Sequence, residues 1–295
     1  MEYVHYPVMY REVLSYLVPR REDALMVDCT TGEGGHTHLF LEKYPHLHVI
    51  GLDRDREIQK KATIRMQGFG DRFTPVNTWF NDYWEGYQGP KVDLVLFDLG
   101  ISSFHYAESQ RGFSFQKEEE LDMRLDLNQH MSAEMVVNTY REEDLANVIY
   151  RYGEERYSRR IAKAIVEARE KERIVTTRQL ADIIFHAVPV QYRYGHIHPA
   201  TRSFQALRIE VNRELDRIEP AIRGAVDALV PGGRVAVITF HSLEDRPVKW
   251  LFRSLAEGEE PKVKILTKHP VVPGEEEIAE NSPSRSAKLR VVERI

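Results

Sequence analysis

An apolar run at residues 24–29 stops at Thr30-Thr31-Gly32-Glu33-Gly34-Gly35, and a helical pattern opens at His36. This strand–turn–helix step then recurs. A second strand at 48–52 ends in Asp53, a third candidate lies at 72–76, and a fourth at 92–97 ends in Asp98. Helical periodicity fills 36–44 and 57–66 between them. Strands alternating with helices pair in parallel through right-handed crossovers, which confines this part of the chain to an α/β sheet.

The middle of the chain breaks that rhythm. Residues 109–198 read as helical and highly charged, with no convincing strand. The clearest helices are 145–152 and 157–169, and Arg156, Arg160 and Lys163 fall at i, i+4 and i+7 on one face of the second. Residues 200–228 predict one or two long helices. Phe204, Leu207, Val211 and Leu215 form their apolar stripe, and Gln205, Arg208 and Asn212 a polar one. Pro231-Gly232-Gly233 predicts a turn, 234–240 a strand, and 287–293 the last strand. The expected organisation is a discontinuous α/β domain, 1–108 with 199–295, interrupted by a helical insertion at 109–198.

With 42% hydrophobic and 29% charged residues the chain can bury a core. Its longest apolar runs are strand-sized, well short of the ~18 residues that span a bilayer, so no membrane partner is expected. The first eleven residues lack a basic stretch followed by an apolar one, which predicts no secretory leader. The single cysteine, Cys29, fits a reducing, cytoplasmic setting. No Cys/His cluster has zinc spacing, so no metal is expected. The net charge of −5 argues against nonspecific coating of nucleic acid but leaves room for a local basic face. Residues 151–178 and the tail cations Arg285, Lys288, Arg290 and Arg294 are candidates for such a face.

The turn after the first strand spaces its glycines as G-x-G-G. Gly32, Gly34 and Gly35 let the backbone turn sharply and approach a ligand. Thr37 stands where a dinucleotide fingerprint needs its third glycine, and no Gly-Lys-Ser/Thr follows as in a phosphate-binding loop. Asp53, about 20 residues on, can accept hydrogen bonds from both ribose hydroxyls of a nucleoside cofactor, and it opposes a 2′-phosphate. With Asp98 ending the fourth strand, this layout resembles class I methyltransferases.

More specific motifs follow in order. They are Asp98-Leu99-Gly100-Ile101-Ser102-Ser103, Arg111-Gly112-Phe113-Ser114-Phe115, Leu121-Asp122-Met123-Arg124 and Tyr152-Gly153-Glu154-Glu155. After them come His198-Pro199-Ala200-Thr201-Arg202-Ser203-Phe204-Gln205, Phe240-His241-Ser242-Leu243-Glu244-Asp245-Arg246 and Pro273-Gly274-Glu275-Glu276-Glu277. From His5-Tyr6-Pro7-Val8 to the tail, the chain resembles the bacterial 16S ribosomal RNA cytosine-N4 methyltransferase family. The resemblance implies a Rossmann-like, mostly parallel seven-stranded sheet with an inserted all-helical domain. It implies S-adenosylmethionine as cofactor and a cytosine of 16S rRNA in the small ribosomal subunit, near the decoding centre, as substrate. It carries the cofactor contacts onto Gly34, Gly35, His36, Asp53, Phe80 and Asp98. One departure is His105, which stands where the family has a cofactor-touching glutamine; within a sulfonium site it is expected neutral.

Methyl transfer from a sulfonium needs positioning more than activation. Asp98, Ser102, Ser103 and His241 are the candidates for the reacting end. Arg156, Arg160, Lys163, Arg208 and Arg246 are the candidates for RNA contact, with Arg208 on a polar wall of the substrate cleft. Ser242-Leu243-Glu244-Asp245 also reads as a capping box. Three rival readings stay open: a DNA amino-methyltransferase, a nucleotide-dependent oxidoreductase, and a noncatalytic RNA-binding or assembly factor on a methyltransferase scaffold. Monomer and homodimer are both compatible with the sequence.

Overall fold

The computed structural model describes residues 6–295, so His5 of the first motif lies outside it. The chain divides into two compact units, Met1–Ile101 with Leu215–Ile295, and Ser102–Glu214. In chain order the first unit opens with α1 (Tyr10–Tyr16), β1 (Leu25–Asp28), α2 (Gly35–Lys43), β2 (His48–Asp53) and α3 (Arg56–Arg65). β3 (Phe73–Asn77), α4 (Phe80–Trp84) and β4 (Val92–Asp98) follow. The helical unit holds α5 (Ser103–Ala107), α6 (Ala133–Thr139), α7 (Glu142–Gly153), α8 (Ser158–Arg169), α9 (Thr177–Ala187), α10 (Val190–Arg193) and α11 (Ala200–Asn212). After α12 (Glu214–Ala228) the sheet resumes with β5 (Leu229–Thr239), α13 (Ser242–Ala256), β6 (Val263–Ile265), α14 (Glu275–Glu280) and β7 (Lys288–Arg294).

The seven strands form one sheet in the order β3-β2-β1-β4-β5-β7-β6. β1 to β5 pair in parallel, and β7 runs antiparallel to both β5 and β6. Both faces are covered, which is why the central strands read as continuous apolar runs rather than as alternation. Val95 and Phe97 of β4 join Val235 and Val237 of β5 in the core on one face. Leu94 and Leu96 join Ala236 and Ile238 in the core on the other. The carboxyl ends of β1, β2 and β4 are three aspartates, Asp28, Asp53 and Asp98, along one edge of the sheet.

Pro231-Gly232-Gly233 departs from its expected role. It is a bulge inside β5 rather than a turn before it. The pairing steps from Val92 opposite Leu229 to Leu94 opposite Arg234, and Gly232 takes the left-handed φ of 78° that the bulge requires. The short β6 carried no sequence signal of its own.

The helical unit spans 102–214 rather than 109–198, for packing reasons. A Cβ on Gly153 at the end of α7 would stand 2.5 Å from the Arg202 carbonyl oxygen, so α7 and α11 cross with backbones nearly touching. Gln205 donates to the Tyr152 carbonyl at 3.0 Å, and the Tyr140 hydroxyl donates to Glu210 at 2.6 Å. The long helical stretch then breaks at Arg213, whose φ of 52° is left-handed. The break removes Leu215 from the stripe of Phe204, Leu207 and Val211 and sends it to the sheet core.

The polar stripe of α11 is likewise internal. Arg208 is 9% exposed, makes a two-pronged pair with Glu214 at 3.0 Å in each arm, and donates to the Tyr106 hydroxyl. Asn212 is fully buried, donates to the Met123 carbonyl and accepts from the Leu125 amide. Arg208 is therefore a staple of this unit and not part of a cleft wall, because its guanidinium is already committed. Arg208→Ala is expected to cost about 2–3 kcal/mol of stability, since it removes the partner of the Glu214 carboxylate, which is only 13% exposed. Arg208→Lys should recover only part of that, lacking the second prong. Urea denaturation of both variants measures it, and a loss below 1 kcal/mol for Arg208→Ala would contradict the staple.

Candidate active site

The turn after β1 is held by its own polar side chains. Gly32 and Gly34 both adopt left-handed conformations, with φ of 55° and 80°. Asp28, 1% exposed, accepts from the Thr37 hydroxyl at 2.7 Å and from the Thr30 amide at 3.3 Å. Burial pushes the Asp28 carboxyl above its ordinary range. The Thr30 hydroxyl accepts from the Asp98 amide at 2.7 Å, which fastens the turn to the end of β4. The Gly32 amide donates to Asp53 Oδ2 at 2.9 Å, and the Asp55 amide donates to Oδ1 at 2.8 Å, which fastens it to the end of β2.

A segment from each end of the chain lies near this turn. A Cβ on Gly35 would stand 3.2 Å from Pro7, so the glycine admits the N-terminal segment. Met9 is left-handed at φ 54°, and its amide donates to Glu277 Oε1 at 2.6 Å. Burial pushes the Glu277 carboxyl up. The glutamate run of the Pro273–Glu277 motif thus has a physical role: it fixes the chain entry that packs on Gly35.

Opposite the glycines stand groups with unmet bonding capacity. His36 is 5% exposed, and its Nε2 lies 3.6 Å from Asp98 Oδ2. Neither ring nitrogen of His36 nor Asp98 Oδ1 has a hydrogen-bond partner among the described residues. Buried polar atoms are nearly always paired, so orphaned ones in one place point to a missing polar ligand. Phe80, at the start of α4, is half-buried and meets Phe97 edge-on at 5.7 Å. Next to it, the Arg217 guanidinium lies 3.9 Å from the centre of the Trp79 ring and donates to Asn81. A nucleoside cofactor with an amino-acid arm fits this donor and acceptor set. S-adenosylmethionine is such a molecule.

The end of β5 adds a second polar pair. His241 Nε2 lies 3.1 Å from Glu244 Oε1, and Glu244 is 2% exposed. Its other oxygen accepts from the Phe240 amide at 2.8 Å. Both His241 nitrogens lack an aligned hydrogen bond among the described residues, so the contact is close but not yet directional. The capping box expected at Ser242 does not form. His241 is the N-cap residue of α13, Glu244 reaches back to Phe240, and Asp245 makes a two-pronged pair with Arg290 at 2.7 and 3.1 Å. Arg246 is exposed on α13.

In the helical unit, Ser102 caps α5 by accepting from the Phe104 amide, and Ser103 is exposed. His105 is 4% exposed and packs between Phe104 and Phe113, at 5.5 and 5.3 Å. Arg156 precedes α8 instead of riding on it, and lies over the rings of Tyr157 and Tyr192 at 4.8 and 5.0 Å. Arg160 and Lys163 are exposed on α8, and Lys163 faces Glu167 at 3.8 Å. The residues that sequence reasoning missed are Asp28, Thr30, Glu244 and Glu277. Among the described residues no His/Cys/Asp/Glu cluster could hold a metal ion, and no helix is long and apolar enough to cross a membrane.

Comparison with known proteins agrees with this geometry. The model of the MraW methylase family matches residues 2–295. The chain is 48% identical to the ribosomal RNA small subunit methyltransferase H of Treponema denticola, over 100% of this chain and 98% of that one. It is 48% identical to the enzyme of the same name from Persephonella marina, over 99% of each. The counterpart from a Sulfurihydrogenibium species is 47% identical over 99% of each.

The turn carries a direct test. Gly34→Ala forces a side chain into a left-handed position and puts its Cβ 2.8 Å from the flexible end of Met66. The expected cost is about 1–2 kcal/mol of stability, with weaker binding of S-adenosylmethionine. Gly68→Ala, which meets nothing within 4 Å, is the control and should stay within about 0.5 kcal/mol. Thermal melts and calorimetric titration read both. Equal behaviour of the two variants would remove the special role of Gly34.

Proposed function

The chain belongs to the MraW methylase family, and we propose that it transfers a methyl group from S-adenosylmethionine to the exocyclic N4 of a cytosine in 16S rRNA of the small ribosomal subunit, near the decoding centre. The names of the curated relatives support the ribosomal substrate. The choice of cytosine N4 and its place in the subunit rest on the family resemblance of the motifs. The observation that carries the reading is the carboxyl edge of the sheet, where His36 and Asp98 keep unpaired polar atoms beside the glycine turn and His241 keeps its own past the end of β5.

Gly32, Gly34, Gly35, His36, Asp53, Phe80 and Asp98 would hold the cofactor, which when bound supplies an electrophilic methyl group. The chain's own task lies with the acceptor. The lone pair of a cytosine amine is delocalised into the ring, so the amine is a weak nucleophile. Acceptors placed on its N–H bonds return density to nitrogen as the new bond forms, and one of them takes the proton that N4 gives up. Asp98 Oδ1 and His241 are the acceptors offered here. Glu244 faces Nε2 of His241, which leaves Nδ1 to take the proton. Glu244 is a positioning residue, because it acts through the ring. Ser102 and Ser103 are proposed to line the target pocket. Arg156, Arg160 and Lys163 of the helical unit, with Arg246 of α13, are proposed to hold RNA phosphates. His105 is proposed as the counterpart of the family's glutamine.

The decisive assay is transfer of labelled methyl from S-adenosylmethionine to isolated bacterial small ribosomal subunits, with nucleoside mass analysis. N4-methylcytidine is the expected product. His241→Gln should lower kcat by about 10²–10⁴-fold, with cofactor affinity unchanged. Glu244→Gln should lower kcat less, with KM held. Cofactor binding without any modified cytidine would leave only the scaffold reading.

A further inference from the structure

α13 has two faces of opposite character. Val248, Leu251, Phe252 and Leu255 are buried in the sheet core. On the other side Arg246, Lys249, Trp250 and Arg253 recur at i, i+3, i+4 and i+7, which places them in one stripe roughly 10 Å long. Trp250 is 58% exposed. The Arg253 guanidinium lies 5.3 Å from its ring centre and the Lys249 ammonium 5.8 Å. An exposed indole between two cations offers a flat face on which a base can stack.

None of the three cations forms an ion pair among the described residues. The acids of the helix are committed elsewhere, Glu244 inward toward His241 and Asp245 to Arg290. The next acids, Glu257, Glu259 and Glu260, lie beyond the helix end. Lys249 also attracts Asp245, whose carboxylate is held chiefly by Arg290, so the stripe carries net positive charge around one aromatic plate. That combination suits unpaired nucleic acid, whose phosphates seek cations and whose bases stack on aromatic faces whatever their sequence. The stripe starts five residues after His241, on the helix whose N-terminus is at the carboxyl edge.

We propose that this face of α13 is an RNA-binding platform in the methyltransferase unit itself, where a base of an unpaired segment flanking the target stacks on Trp250 and its phosphates lie on Lys249 and Arg253. The proposal rests on the reading that RNA is the substrate and extends the Arg246 contact along the whole helix. An acidic protein surface is the rival occupant.

The test uses the full chain, with protein-free 16S RNA and assembled small subunits as separate substrates. Trp250→Leu should raise KM for protein-free RNA about tenfold or more, while Trp250→Phe keeps most of the wild-type value. The double variant Lys249→Gln with Arg253→Gln should flatten the dependence of log affinity on log salt by about 1.4, for two phosphate contacts on a single strand. Cofactor affinity should not change in any of them. Unchanged KM and salt slope in an enzyme whose wild type methylates RNA would falsify the platform and leave the proposed function standing. An effect on assembled subunits alone, or equal behaviour of the Leu and Phe variants, would assign the face to a ribosomal protein and overturn the proposal. If the wild type methylates no RNA, the underlying functional reading falls and the platform with it.

Discussion

The hydrogen bond from the Gly32 amide to the Asp53 carboxylate joins the turn after β1 to the end of β2. It has a counterpart on the other side, where the Thr30 hydroxyl takes the Asp98 amide. Between them the turn is clamped to both neighbouring strands, and the buried Asp28 pins it from below through Thr37. A left-handed backbone at Gly32 and Gly34 is the geometric consequence. The proposed cofactor contacts of the glycines, Asp53 and Asp98 descend from that clamp. A loop free to move would have to be ordered on binding, and that entropy would be subtracted from affinity. Glu277 extends the same logic across the chain, holding Met9 so that Pro7 can pack on Gly35.

Two kinds of polar residue are buried in this protein, and their hydrogen bonding separates them. Arg208, Asn212 and Glu155 are saturated: each bonds within the helical unit, and each stabilises it. His36 faces Asp98 at 3.6 Å and His241 faces Glu244 at 3.1 Å, yet His36, Asp98 and His241 each keep an atom unpaired. A buried unpaired polar atom costs roughly 1–3 kcal/mol. Such a cost is recovered where a ligand restores the bonds.

That distinction explains what the sequence could reveal. Gly32, Gly34, Gly35, Asp53 and Asp98 were legible because a sharp turn and the ends of parallel strands leave local marks. The sheet was legible because strands buried on both faces are uninterrupted apolar runs. Glu277 and Glu244 were not, because their meaning is a partner: Met9 lies 268 positions from Glu277, and Glu244 was absorbed into a capping pattern that the chain does not use. Arg208 was misplaced for a related reason. Helical periodicity assigns it a face but says nothing of Glu214 and Tyr106, which turn that face into an interior. The bulge at Gly232 looks like a turn in sequence, since both need the same glycine.

Net charge misleads in the same way. By net charge alone, −5, the chain is ill suited to a polyanion. Yet many of its cations are neutralised in place. Arg21 is paired with Asp93, Arg124 with Asp122, Arg208 with Glu214, Arg234 with Glu293 and Arg290 with Asp245. Such pairs contribute little field beyond a few ångströms, because each positive charge is matched by a near neighbour. The cations without a carboxylate partner include Arg246 and Arg253 on α13 and Arg160 in the helical unit, and these are the ones proposed to meet phosphates. The chain can therefore be acidic in sum and basic on a local face, and such a face is found by asking which cations lack a partner rather than by counting them.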